Sequence, residues 1–270
     1  MAQLTVSGIS KSYAGKPVLV SQSLEAASGE FVALLGPSGC GKSTMLQVIN
    51  GLVQADSGRV VLNGQDITGK TGSGRGMVFQ GAELLPWRTV IDNVAFGLEI
   101  EGVGKAERRA RAAEYLRLVG LAGYEQAWPH ELSGGQQQRV GIARAFCIRP
   151  TLLMMDEPFG ALDVQTRDVL QDELMRIWEA EPKTVLFVTH GIEEALYLAD
   201  RIVVYSQRPA RILREITVPF ARPRRDEVKL DPAFLALRRE IADLLRDELG
   251  ETRHGKADAA RGASAEGAAH

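Results

Sequence analysis

The sequence predicts an α/β fold built on a parallel sheet, and three observations carry the prediction. The runs Phe31–Leu35, Leu152–Met155 and Thr184–Val188 read as short and continuously apolar, which suits strands covered on both faces. Helical patterns follow Lys42, Ser133, Val164 and Ile192, so strands and helices alternate. The run Phe31–Leu35 opens directly into a glycine-rich turn and then a helical pattern, Thr44–Gly51.

In chain order, Gln3–Ser23 is polar-alternating, with turn signals at Ala14-Gly15-Lys16-Pro17, and predicts antiparallel strands beside the main sheet. After the glycine-rich turn and its helix come strands at Arg59–Leu62 and Gly76–Phe79. No strong strand lies between Trp87 and Pro150. This stretch, with the charged helical segment Glu107–Val119, predicts a helical insertion between two sheet strands. The sheet resumes at Leu152, Thr184 and Ile202–Tyr205. Arg222-Pro-Arg-Arg-Asp is expected as a solvated, turn-like basic linker. Asp231-Pro232 then starts a helix with Phe234, Leu237, Ile241, Leu244, Leu245 and Leu249 on one stripe, and Gly250 stops it. Residues 251–270 are rich in Ala and Gly and are expected to be disordered. The expected division is a main domain over 1–221 with a helical part at about 87–150, a linker and helix over 222–250, and a tail.

Composition narrows the classes. The chain has 270 residues, 45% hydrophobic and 24% charged, with 32 basic against 34 acidic side chains. That is globular composition, and the net charge of −2 carries no electrostatic footprint for nucleic acid. No apolar run reaches the length of a membrane span. Two cysteines make no disulfide framework.

Gly36, Pro37, Ser38, Gly39, Cys40, Gly41, Lys42, Ser43 and Thr44 fit the pattern of a phosphate-binding loop between a strand and a helix. Glycines let backbone N–H groups turn inward around phosphate oxygens, and the helix end adds positive potential. Lys42 supplies a full charge to the outer phosphates and Ser43 a hydroxyl for Mg²⁺. A chance glycine turn is the competing reading, and the flanking strand and helix count against it. The run Leu152–Met155 ends in Asp156 and Glu157. Asp156 is placed to bind Mg²⁺, and Glu157 to polarise a water in line with the γ-phosphate.

A second glycine-rich turn, Ser133, Gly134, Gly135 and Gln136, makes another helix N-terminus able to take phosphate. One nucleotide does not need both turns on one chain, whereas two chains packed head to tail would use both. With this turn the sequence resembles the nucleotide-binding subunit of an ABC transporter, from about Leu4 to Val218. The resemblance implies a P-loop NTPase core with an antiparallel β subdomain and a helical subdomain. It implies ATP and Mg²⁺ as ligands and ATP hydrolysis as the activity. It also implies a homodimer on the cytoplasmic face of the inner membrane, with permease subunits and, through them, an external solute-binding protein as partners. It places Tyr13 on adenine, Gln80 at the Mg²⁺ and γ-phosphate, Asp163 in the loop along the dimer seam, and His190 at the γ-phosphate. Gly81–Asn93, Gly191–Leu196, Tyr205–Ile212 and the C-terminal helix are similar to importers of nitrate, sulfonates and taurine. Leu84, Leu85 and Trp87 are expected in a groove for the permease, or as buried residues of the helical part. Two departures stand out. Gly191 replaces an expected aspartate after His190, and Gly81 is expected to loosen the loop after Gln80. The competing readings are a soluble ABC ATPase of repair or translation and an inactive regulatory ABC protein. The first lacks its paired cassettes or long insertions here. The second is opposed by intact Lys42, Asp156, Glu157 and His190.

Overall fold

Alternating burial in the first strands makes a hairpin. The computed structural model describes residues 2–248. In it β1 (Ala2–Tyr13) and β2 (Lys16–Ala27) pair antiparallel around Ala14 and Gly15. Both loop residues take positive φ, 49° and 75°, which matches a two-residue hairpin turn to strand twist. The second strand runs four residues past the expected end. With β4 (Ser57–Leu62) and the two-residue β5 (Gln65–Asp66) it forms a four-stranded sheet, order β2-β1-β4-β5.

The main sheet has the order β10-β9-β3-β8-β7-β6. Its strands are β3 (Phe31–Leu35), β6 (Arg75–Val78), β7 (Leu152–Asp156), β8 (Thr184–Thr189), β9 (Arg201–Tyr205) and β10 (Ile212–Thr217). All pairings are parallel except β9–β10. Every residue of β3 and β8 is buried, as two-sided cover demands. Alternate residues feed two separate cores. Val32, Leu34, Met154 and Leu186 meet α1 (Lys42–Ile49) and the antiparallel sheet. Phe31, Ala33, Met155 and Phe187 meet α5 (Gly134–Cys147), α6 (Val164–Ala180) and α7 (Ile192–Leu198) on the opposite face. The helical stretch expected between Trp87 and Pro150 is present as α2 (Val90–Val94), α3 (Phe96–Ile100), α4 (Lys105–Leu118) and α5. Among the described residues no helix is long and apolar enough to cross a membrane.

The Arg222–Arg225 stretch is not the solvated linker that its composition suggests. Arg224 is 8% exposed and donates through Nη1 to the carbonyls of Leu196, Tyr197 and Ala199. Arg222 donates to Leu198 O and to Asp200 Oδ1, and stacks on Trp178 at 4.4 Å. The last carbonyls of α7 have no helical partners, and these two guanidinium groups supply the missing donors. Only Arg225 of the three arginines is exposed. The helix 232–248, α8, then packs back on the core through buried Phe234 and Ile241. The expected Leu249 and Gly250 stop and the tail 251–270 lie outside the described residues.

Candidate nucleotide site

Parallel strands deliver their carboxyl ends to one edge, and that edge collects the chemistry. Register sets Leu35 opposite Thr189 and Asp156 opposite Val188. The phosphate loop, the Asp156–Glu157 pair and His190 therefore emerge side by side. Gln80, two residues past β6, is exposed beyond the same sheet edge.

The loop needs its glycines for distinct reasons. A Cβ on Gly36 would lie 2.9 Å from Tyr205 O and 3.0 Å from Tyr205 Cβ. Gly39 has φ 77° in open space, so only its backbone conformation demands glycine. A side chain at Gly41, with φ 123°, would meet Val18 and Leu19 of the hairpin at 3.0 Å. Lys42 is 4% exposed, and its ammonium donates to Gly36 O at 2.7 Å and Pro37 O at 2.9 Å. Its charge thus sits inside the curve of the loop, at the start of α1. Pro37, Ser38 and Cys40 complete the curve, and Cys40 is buried beneath it.

Asp156 and Glu157 go to different partners. Ser43 Oγ donates to Asp156 Oδ1 at 2.8 Å. Burial pushes the Asp156 carboxyl up from its ordinary value; the Ser43 hydrogen bond opposes this, Glu157 adds to it and Lys42 opposes it. Glu157 adopts a left-handed backbone, φ 45°, and its N–H donates to Val188 O. Its Oε2 lies 3.1 Å from His190 Nδ1, and His190 is 57% exposed on its side chain. Ser43 and Asp156 are hard oxygen donors of the kind Mg²⁺ takes alongside substrate phosphates, and they fit that ion. Among the described residues no cluster of three His, Cys, Asp or Glu forms a protein-only metal cage.

The second glycine turn is a capping box: Ser133 Oγ accepts from Gln136 N, and Gln136 Oε1 accepts from Ser133 N. Ser133 and Gly134 are exposed. A Cβ on Gly135 would lie 2.8 Å from Thr166 Cγ2, so the turn abuts the start of α6. Asp163 caps α6, accepting from Thr166 N at 3.0 Å and Thr166 Oγ1 at 2.7 Å. Tyr13 is 44% exposed at the end of β1, with the Lys11 ammonium 5.5 Å from its ring centre.

Three residues of α5 hold the segment on both sides of Gln80. Gln138 Nε2 donates to Phe79 O, Arg144 donates to Ala82 O and Glu83 O at 2.7 Å each, and Gly141 admits Ala82 against α5. The loop is therefore tied to α5, where Gly81 alone suggests looseness. Buried Asn93 organises the next turn, accepting from Leu85 N and donating to the carbonyls of Leu85, Arg88 and Thr89. That turn leaves Trp87 70% exposed, while Leu84 packs on the core. Helix periodicity marks Gln138, Gly141 and Arg144 as one face of α5, and that is the only signal the sequence offers for them.

A strand–loop–helix phosphate cradle beside a strand ending in two acids defines the class of P-loop ATPases. The chain belongs to the ABC transporter family, whose pattern matches residues 19–160. It is an ATP-hydrolysing, ATP-binding subunit. It is 49% identical over 226 residues to an uncharacterized ABC transporter ATP-binding protein of Methanocaldococcus jannaschii, covering 84% of this chain and 83% of that one. It is 46% identical over 243 residues to the taurine import ATP-binding protein TauB of Escherichia coli (strain K12), covering 88% and 95%. Among solved structures it resembles a dimeric ATP-binding cassette in a post-hydrolysis state bound to ADP and Pi. That likeness has TM-score 0.72 and 32% identity, over 81% of this chain and 100% of the other. A dimeric bacterial ABC transporter cassette is similar at TM-score 0.72 and 33% identity, with the same coverage.

Proposed function

We propose that two copies of this chain bind two Mg·ATP at a shared seam and power import of a small nitrate-, sulfonate- or taurine-like solute. The solute passes through a separate permease fed by an external binding protein, and the chain attaches peripherally at the cytoplasmic face. The unit is residues 1–221, with 87–150 as its helical lobe. One observation carries this reading: α1 and α5, each starting at a glycine turn, lie on opposite faces of one sheet. A single protomer offers its Lys42 loop to one nucleotide and its Ser133 turn to another.

In this mechanism Lys42 exchanges the loop carbonyls for β- and γ-phosphate oxygens. Tyr13 stacks on adenine, and Asp163 shapes the seam by fixing the start of α6. Ser43, Asp156 and Gln80 would hold Mg²⁺, which supplies charge neutralisation at the phosphates when bound. Glu157 orients the attacking water and takes its proton. His190 engages Glu157 through Nδ1, leaving Nε2 to face a γ-phosphate oxygen. Trp87 stands exposed where a permease helix would dock.

The test is Glu157→Gln. Turnover should fall by about 10²- to 10⁴-fold while ATP binding persists; full steady-state ATPase activity in that variant removes Glu157 from its role. In vesicles holding the permease, taurine-loaded binding protein should stimulate hydrolysis. No response to taurine, an alkanesulfonate or nitrate overturns the solute class and leaves the ATPase standing.

A further inference from the structure

Glu194 stands at the third position of α7, one turn beyond His190, and no role above is assigned to it. Its Oε1 accepts from Gln171 Nε2 of α6 at 3.1 Å, and its Oε2 accepts from Thr189 Oγ1. Thr189 Oγ1 in turn accepts from Gly191 N at 2.9 Å. The residues on both sides of His190 are therefore tied to one carboxylate. Burial pushes that carboxyl up from its ordinary value, and the hydrogen bonds from Thr189 and Gln171 oppose the shift. A buried polar network of this kind fixes geometry when every member is satisfied. The glycine after His190 belongs to the same arrangement. A Cβ there would sit 3.4 Å from Glu194 Cβ and 3.5 Å from Thr189 Oγ1, so Glu194 flanks the space where the expected aspartate would start. Its other anchor, Gln171, is buried on the helix that Asp163 caps and Gly135 abuts.

We propose that Glu194 is a positioning residue for ATP hydrolysis: it locks the Thr189–His190–Gly191 turn to α6, so that His190 and its partner Glu157 hold their places at the γ-phosphate. This rests on His190 acting at that phosphate. Glu194 itself touches no reacting atom.

The test is steady-state ATPase kinetics of the full chain carrying Glu194→Ala, Glu194→Gln or Thr189→Val, each also made in a His190→Ala background. Glu194→Ala should lower kcat about 10- to 100-fold, the scale of a small misplacement at a reacting centre. KM for ATP should stay within about twofold, because the Lys42 loop is untouched. Glu194→Gln should recover most of kcat, since its carbonyl accepts from Thr189 and a rotated Gln171 amide accepts from its N–H. Thr189→Val keeps the shape without the hydroxyl and should reproduce the loss, which guards against a Glu194→Ala chain that fails to fold. With His190 already removed, Glu194→Ala should cost little more. An equal fold-loss in that background, a rise in KM instead of a fall in kcat, or no rescue by Gln overturns the proposal. Full turnover of His190→Ala alone overturns the reading beneath it as well, and so separates the two failures.

Discussion

Gly36 and Gly39 sit three residues apart in one loop and resist substitution for different reasons. At Gly36 a methyl group meets the backbone oxygen and Cβ of Tyr205 at 2.9 and 3.0 Å. Neither can swing aside as a flexible side-chain end would, so β9 or the loop must shift. Gly36→Ala should cost about 1–3 kcal/mol of stability by overpacking. It should also weaken ATP binding, because the loop's N–H groups move with it. Gly39→Ala meets no atom, and its cost is that of a left-handed alanine, about 1–2 kcal/mol. Thermal unfolding and nucleotide titration of both variants check this. Intact ATP affinity in Gly36→Ala would show that the close approach to Tyr205 does not shape the cradle. The paired acids teach the same lesson of neighbours with separate tasks: Asp156 turns to Ser43, and Glu157 to His190.

At the scale of elements, α7 depends on residues that follow it by more than twenty positions. Its terminal carbonyls are met by Arg222 and Arg224, and removing a charged donor leaves buried acceptors unmet. Arg224→Met should cost about 2–3 kcal/mol, a fall in Tm of about 5 °C for a chain of this size. Exposed Arg225→Met should change stability by no more than about 0.5 kcal/mol. Equal Tm values for the two variants would contradict the capping role. This contact marks a boundary of what the sequence tells. The phosphate loop, the acid pair and the Ser133 turn were legible because each is a local run with a local reason. Strands β3, β7 and β8 were legible because burial on both faces leaves an apolar run. Strand β10 was not, because Ile212–Thr217 is an edge strand with Arg214 and Glu215 exposed and no such run. Arg224 was hidden because its partners are backbone carbonyls, which no residue type announces. Glu194 was hidden because Gln171 and Thr189 reach it from two other elements. An acid in the first turn of α7 reads from sequence only as a favourable helix end.

For the whole molecule, the two cores bear on the proposed two-chain nucleotide site. Helix α1 is anchored by Met45, Leu46 and Ile49 in the core shared with the antiparallel sheet. Helix α5 is anchored by Val140, Ile142 and Phe146 in the core on the other side. Bringing Ser133 to the Lys42 loop within one protomer would mean stripping one of these helices from its apolar bed, at about 1.5–3 kcal/mol per large side chain exposed. In the proposed dimer a second copy supplies the same contact with both cores intact. Ser133→Arg, made in the Glu157→Gln chain, therefore separates binding from assembly. The substitution removes an exposed cap, worth about 1 kcal/mol, so the fold should persist. It should leave a fluorescent ATP analogue bound to the monomer with unchanged affinity, since the Lys42 loop lies on the other face. It should abolish the ATP-dependent dimer that sedimentation detects in Glu157→Gln alone. A Ser133→Arg chain that still dimerised with ATP like its parent would place the second glycine turn away from the seam, and the two-chain nucleotide site would have to be abandoned.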